Sequence, residues 1–141
     1  MSITIQGING EQMARLVIKK WGIDELFQLD WMAKYKDKYI CFEIKHKEWF
    51  TPPPCRGQGL DVRQVKARIK LYKETGIRCL FMVFPIPEDG YAYCQWLDIL
   101  ESGNPFTTRN RIRIYDMSLF QKYKIKPKNA QGGADKCLTG S

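Results

Sequence analysis

Asp30, Glu43 and Lys45 are the residues of this chain whose types and spacing could do chemistry. Glu43 and Lys45 lie in a stretch, 38–47, in which side chains alternate. Ile40, Phe42, Ile44 and His46 share one parity; Tyr39, Cys41, Glu43, Lys45 and Lys47 share the other. A β-strand has a side-chain period of two, so Glu43 and Lys45 project side by side from one face. Asp30 sits in the middle of a second strand-like stretch, 26–34, and Tyr35-Lys36-Asp37-Lys38 reads as the turn of an antiparallel hairpin. Hairpin neighbours lie about 5 Å apart, so Asp30 reaches Glu43 if the register sets both on one face. A slip of one residue sends Asp30 to the other face. Two carboxylates and an ammonium on a half-buried sheet face are costly unless they do something, most often hold a metal. The competing reading makes Glu43 and Lys45 part of a solvated outer face, with Asp30 in a loop.

Downstream, residues 60–76 form a helix with an early Gln64 and a closing Gly76, leading into the apolar strand Cys79-Leu80-Phe81-Met82-Val83-Phe84. The ordered set over residues 9–84 (helix, Asp30, Glu43-Ile44-Lys45 strand, Gln64 helix, strand) resembles the PD-(D/E)xK nuclease superfamily, in the branch of Holliday-junction resolvases and virus-type replication-repair nucleases. The resemblance implies a single restriction-endonuclease-like α/β domain, with a central mixed β-sheet flanked by helices. It implies Mg2+, with Mn2+ as substitute, held by Asp30, Glu43 and the backbone carbonyl of Ile44. Lys45 would lower the effective pKa of the attacking water or stabilise the pentacovalent phosphate. Gln64 would position phosphate or water, although it also stands where a capping-box partner of Asp61 belongs. Glu11 is the position most like the extra helix acid of some members. However, it falls opposite Met13 on the helix wheel, which suits an exposed first-turn acid. A homodimer is implied by the resemblance alone.

With 141 residues the chain suits one domain able to bury a core without staples. No apolar run approaches the roughly 18 residues a membrane span needs, and no signal-peptide pattern opens the sequence. The five cysteines never form Cys-x-x-Cys, which argues for reduced thiols in a cytoplasmic protein over a zinc site. A single histidine, His46, falls on the apolar parity of its strand and reads as structural. No Gly-x-Ser-x-Gly or Cys-His arrangement supports a hydrolase triad, and Gly57-Gln58-Gly59 lacks the Lys-Ser/Thr of a P-loop. The net charge of +8 makes a polyanion partner plausible. Candidate nucleic-acid contacts are Arg56, Lys66, Arg68, Arg111 and Arg113; the last two alternate with Ile112 and Ile114 on one strand face, which suits phosphate. Lys66 and Lys70 suit a solubilising helix face equally well.

The remaining elements position these groups. A first helix spans 10–21, capped by Asn9, stapled by Ile8 and Met13, and striped by Met13, Leu16, Val17 and Trp21 toward a core. Residues 48–59, with three prolines and two glycines, are expected to be irregular and to border the site. There Trp49, Phe50 and Arg56 either stack on bases or pack as a lid. Val65, Ile69 and Tyr72 form the core stripe of the Gln64 helix. Residues 91–101 favour a short helix, 111–115 a strand, 117–122 a helical turn, and 127–141 a polar tail after a domain of 1–126. The function expected from these features is metal-dependent endonucleolytic hydrolysis of DNA, structure-directed, in recombination, repair or phage DNA processing, with RNA left open. The alternative is a non-catalytic nucleic-acid-binding module that keeps the fold.

Overall fold

Lys36 and Asp37 set the register on which the site depends. In the computed structural model, which describes residues 10–23 and 29–125, both adopt left-handed backbone conformations, with φ of 47° and 65°. Two successive left-handed residues make the tight turn whose twist matches that of paired strands. It joins β1 (Trp31–Tyr35) to β2 (Lys38–Lys47), with Tyr35 opposite Lys38 and Trp31 opposite Phe42. Asp30 therefore lies in a bend just before the strand rather than at its middle.

β3 (Gly57–Asp61) and α2 (Val62–Thr75) then carry the chain over to β4 (Arg78–Pro85), which runs parallel to β2 with Cys41 opposite Cys79 and Glu43 opposite Phe81. A parallel pair needs such a crossover. β5 (Tyr91–Trp96) and β8 (Gln121–Lys124) add antiparallel neighbours, giving a five-stranded mixed sheet of order β1-β2-β4-β5-β8. α2 begins where the Asp61 carboxylate accepts the Arg63 amide at 2.8 Å and ends at left-handed Gly76, whose amide donates to the Tyr72 carbonyl. Val62, Val65 and Leu71 turn from α2 into the core. There Cys41, Phe81, Val83, Tyr93 and Tyr115 pack with Leu97 and Leu100 of α3 (Leu97–Glu101). The opposite face gathers Ile40, Leu80, Ala92, Cys94 and Trp96. A mixed sheet flanked by helices is the expected architecture. No helix among the described residues is long and apolar enough to cross a membrane.

Four expectations change. Residues 91–101 are a strand followed by one helical turn, because β5 has both neighbours to pair with and is buried along most of its length. Irregular chain stops at Arg56: β3 pairs with β7 (Ile112–Asp116), and β7 with β6 (Phe106–Thr107), in a second antiparallel sheet. Gly57 and Gly59 serve close approach rather than unusual dihedrals, since a Cβ at either would run into a β7 carbonyl oxygen, that of Tyr115 or Arg113. After β7, a 3-10 turn at Met117–Leu119 leads directly to β8 in place of a longer helical turn. Finally, α1 (Gly10–Lys20) forms where expected, but its stripe of Met13, Leu16, Val17 and neighbouring Trp21 is 45–72% exposed and joins neither core cluster. Asn9, Ile8, the 127–141 tail and the boundary at 126 lie outside the described residues.

Candidate active site

One step past Trp31–Phe42, the β1–β2 register sets Asp30 opposite Glu43. Counting outward from the turn, this is a non-hydrogen-bonded pair, in which Cα atoms approach to about 4.5 Å and side chains are closest. The side chains are neighbours accordingly: the Asp30 carboxylate acts on the Glu43 carboxyl, and the Ile44 amide donates to Asp30 Oδ2 at 3.1 Å. That amide bond also orients the next group. A strand residue sends its N–H and C=O to the same side, so the Ile44 carbonyl leaves β2 on the Asp30 side, beyond the end of β1. Glu43 is only 2% exposed. Burial pushes its carboxyl above the ordinary carboxylate range; Arg68 pulls it back, and the neighbouring Asp30 charge adds to the rise.

Arg68 is the main correction at the site. Expected on the nucleic-acid-facing surface, it is 4% exposed, and its Nε donates to Glu43 Oε1 at 2.5 Å. Its place in the helix explains this: it falls three residues after Val65 and three before Leu71, on the inward face of α2. The signal was in the spacing, but the charge argued the other way. Arg68 Nη1 is buried without a hydrogen-bond partner among the described residues.

Lys45 shares the Glu43 parity and is half-buried. It opens into a groove of about 490 Å³ that is also lined by Gln64, Phe50 and Asn110. Gln64 is exposed, and among the described residues its side chain makes no reciprocal bond to Asp61, whose carboxylate takes the Arg63 amide instead. Capping therefore does not account for Gln64. Arg113 does not face outward with Arg111. Its guanidinium is held by Glu101 at 2.9 Å and by Thr107, while Arg111 precedes β7 in a left-handed turn with φ 63°. Arg56 is exposed but lines a different opening, beside Tyr93, Asp116 and Lys122; Lys66 is exposed on α2. Trp49 is buried against Tyr93 and Phe120, so it belongs to the core. Glu11 lies on α1, with its side chain outside the described residues.

Two carboxylates, one of them exposed, fit a magnesium-type ion, which binds through one or two carboxylates and keeps several waters. They do not fit an all-protein cage: among the described residues no three His, Cys, Asp or Glu side chains cluster. No protein-family model and no curated protein matches the sequence. Among solved structures, the chain is similar to Hjc, a Holliday junction resolvase from the archaeal hyperthermophile Archaeoglobus fulgidus. The two are 11% identical, the match covers 79% of this chain and 91% of that chain, and the TM-score is 0.43.

Proposed function

We propose that the chain is a metal-dependent endonuclease that hydrolyses DNA phosphodiester bonds in a structure-directed way. The observation that carries this reading is the meeting of Asp30 and Glu43 beside the Ile44 carbonyl, with Lys45 on the Glu43 face at the mouth of an open groove. Asp30, Glu43 and the Ile44 carbonyl would hold Mg2+ or Mn2+, which when bound neutralises phosphate charge and acidifies a water. Arg68 keeps one Glu43 oxygen, Oε1, occupied and so orients the carboxylate, which leaves Oε2 as the oxygen for the metal. The Lys45 ammonium places positive charge where a phosphate would develop negative charge. Gln64, which lines the same groove and makes no side-chain hydrogen bond among the described residues, would hold the water or a non-bridging phosphate oxygen. A homodimer would supply two such sites for two strands.

The test is cleavage of supercoiled, linear, single-stranded and four-way-junction DNA in Mg2+ or Mn2+, beside Asp30→Asn and Lys45→Ala. Both substituted side chains sit at the edge of the site rather than in the core, so circular dichroism should match wild type. Loss of general acid-base or charge assistance slows cleavage by about 10²- to 10⁴-fold. Cleavage indifferent to both substitutions removes the site assignment. Binding to every substrate with no cleavage of any supports the non-catalytic module.

A further inference from the structure

The groove beside Lys45 has two unlike walls. One is apolar and preformed: Phe50 is tied to β3 by paired backbone hydrogen bonds with Gly57, both 2.8 Å, and its ring leans on Phe106 with centroids 5.8 Å apart. Pro52 extends that wall with a fixed backbone. The other wall is the tip of the β6–β7 hairpin. There the Arg111 amide donates to the Thr108 carbonyl and the Ile112 amide to Thr108 Oγ1, which holds Asn110 at the apex. Lys45, Lys47 and Gln64 line the same groove. Among the described residues, the side chains of Lys45, Lys47, Gln64 and Asn110 are engaged in no hydrogen bond or ion pair. The groove also carries two acids: the Asp61 carboxylate, already used by the Arg63 amide and guanidinium, and the exposed Glu48.

An aromatic ring with a neighbouring proline, the amide of Asn110 and two cations lining one groove match the parts of one nucleotide: base face, base edge and phosphate. In a duplex the base face is hidden by stacking and its Watson–Crick edge by pairing, so only an unpaired nucleotide presents all three. The volume is that of a site for one small molecule. Resting on the nuclease reading of the neighbouring site, we propose that this groove takes a single unpaired DNA nucleotide adjoining the scissile phosphate. Its base lies on Phe50 and Pro52, its edge faces Asn110, and its phosphate meets Lys45 and Lys47. The substrates are thereby narrowed to DNA with an unpaired nucleotide at a branch, flap or bulge.

The test separates this proposal from the nuclease reading by working without catalysis. Wild-type protein in EDTA is titrated against three fluorescent DNAs of equal length: a perfect duplex, a duplex with one unpaired 2-aminopurine, and a single strand. Base–aromatic stacking corresponds to an affinity gain of about 5- to 150-fold for the unpaired DNA over the perfect duplex, with quenching of the 2-aminopurine signal. Asn110→Ala, at an exposed hairpin tip, should cut that preference several-fold while leaving perfect-duplex affinity unchanged; Phe50→Ala should abolish the quenching. Equal affinity for paired and unpaired DNA overturns the proposal, as does a preference that Asn110→Ala and Phe50→Ala both leave intact. Failure of the wild type to cleave in Mg2+ or Mn2+ bears only on the nuclease reading.

Discussion

Breaking the Arg68–Glu43 pair should destabilise the fold unequally according to which partner is removed. The two side chains are 5% and 3% exposed, and the contact is 2.5 Å. Removing one partner of a buried ion pair costs about 3–5 kcal/mol, because the other charge is left uncompensated. Arg68→Met falls at the lower end for two reasons. Glu43 already sits above its ordinary pKa, so without the guanidinium it takes up a proton instead of standing as a bare charge. The substitution also removes Arg68 Nη1, a buried donor with no partner among the described residues, of the kind that costs about 1–3 kcal/mol. Glu43→Leu falls at the upper end, since a buried arginine has no neutral form to retreat to. Glu43→Leu with Arg68→Met together replaces the pair by apolar groups and should come within about 1 kcal/mol of wild type. Urea unfolding followed by far-ultraviolet circular dichroism measures all four species, with an unchanged slope confirming that midpoints report stability. Additive single effects, or an Arg68→Met variant costlier than Glu43→Leu, would refute the reasoning.

Three further outcomes follow from particular groups. Because burial raises the folded-state pKa of Glu43, the folded chain keeps a proton that the unfolded chain has released; its contribution is full below the unfolded value and declines as pH rises through the folded one. Wild-type stability relative to Glu43→Gln should therefore fall from about pH 4 upward, and a pH-independent difference in urea midpoint contradicts this. Tyr93 is pushed up to about 12 by burial and by its 2.5 Å hydrogen bond to Asp89. The folded state thus holds the phenol proton above about pH 10 while the unfolded state loses it. Stability should drop across that alkaline window, and drop less steeply in Tyr93→Phe. Gly59→Ala drives a Cβ into the Arg113 carbonyl and should cost at least about 2 kcal/mol, whereas Gly10→Ala, with open space around it, should cost nothing by the same assay.

The strand carrying Glu43 and Lys45 was legible in the sequence because a period of two is a local pattern, and the sheet partners left it intact. The register of Asp30 was not legible. It hangs on a turn formed by Lys36 and Asp37, neither of them the glycine or asparagine that usually marks left-handed pairs. Once those two residues are left-handed, every pair from Tyr35–Lys38 outward is determined, and Asp30 meets Glu43 without further choice. The second sheet was hidden for a different reason: Gly57-Gln58-Gly59 reads as loop by composition, and only the approach of β7 turns those glycines into a steric requirement of a strand. The exposed stripe of α1 shows the converse, that amphipathic spacing identifies a helix without saying what its face meets.

Arg68 joins these threads. Its helix position pointed inward, yet the group that makes such a position tolerable for a guanidinium lies on the strand β2, twenty-five residues earlier in the chain. Local periodicity carries no information about such a partner. With Arg68 spent on Glu43, the positive charges near the site divide by direction: the one on α2 points down to hold a carboxylate, and Lys45 on β2 points out toward the groove. Asp30, held by the Ile44 amide at the exposed edge, completes an arrangement in which each carboxylate has its own fixed donor. On the proposed nuclease reading, that leaves Lys45 as the cation beside the two carboxylates free to meet a phosphate, so its removal should affect cleavage while removal of Arg68 should first affect the fold.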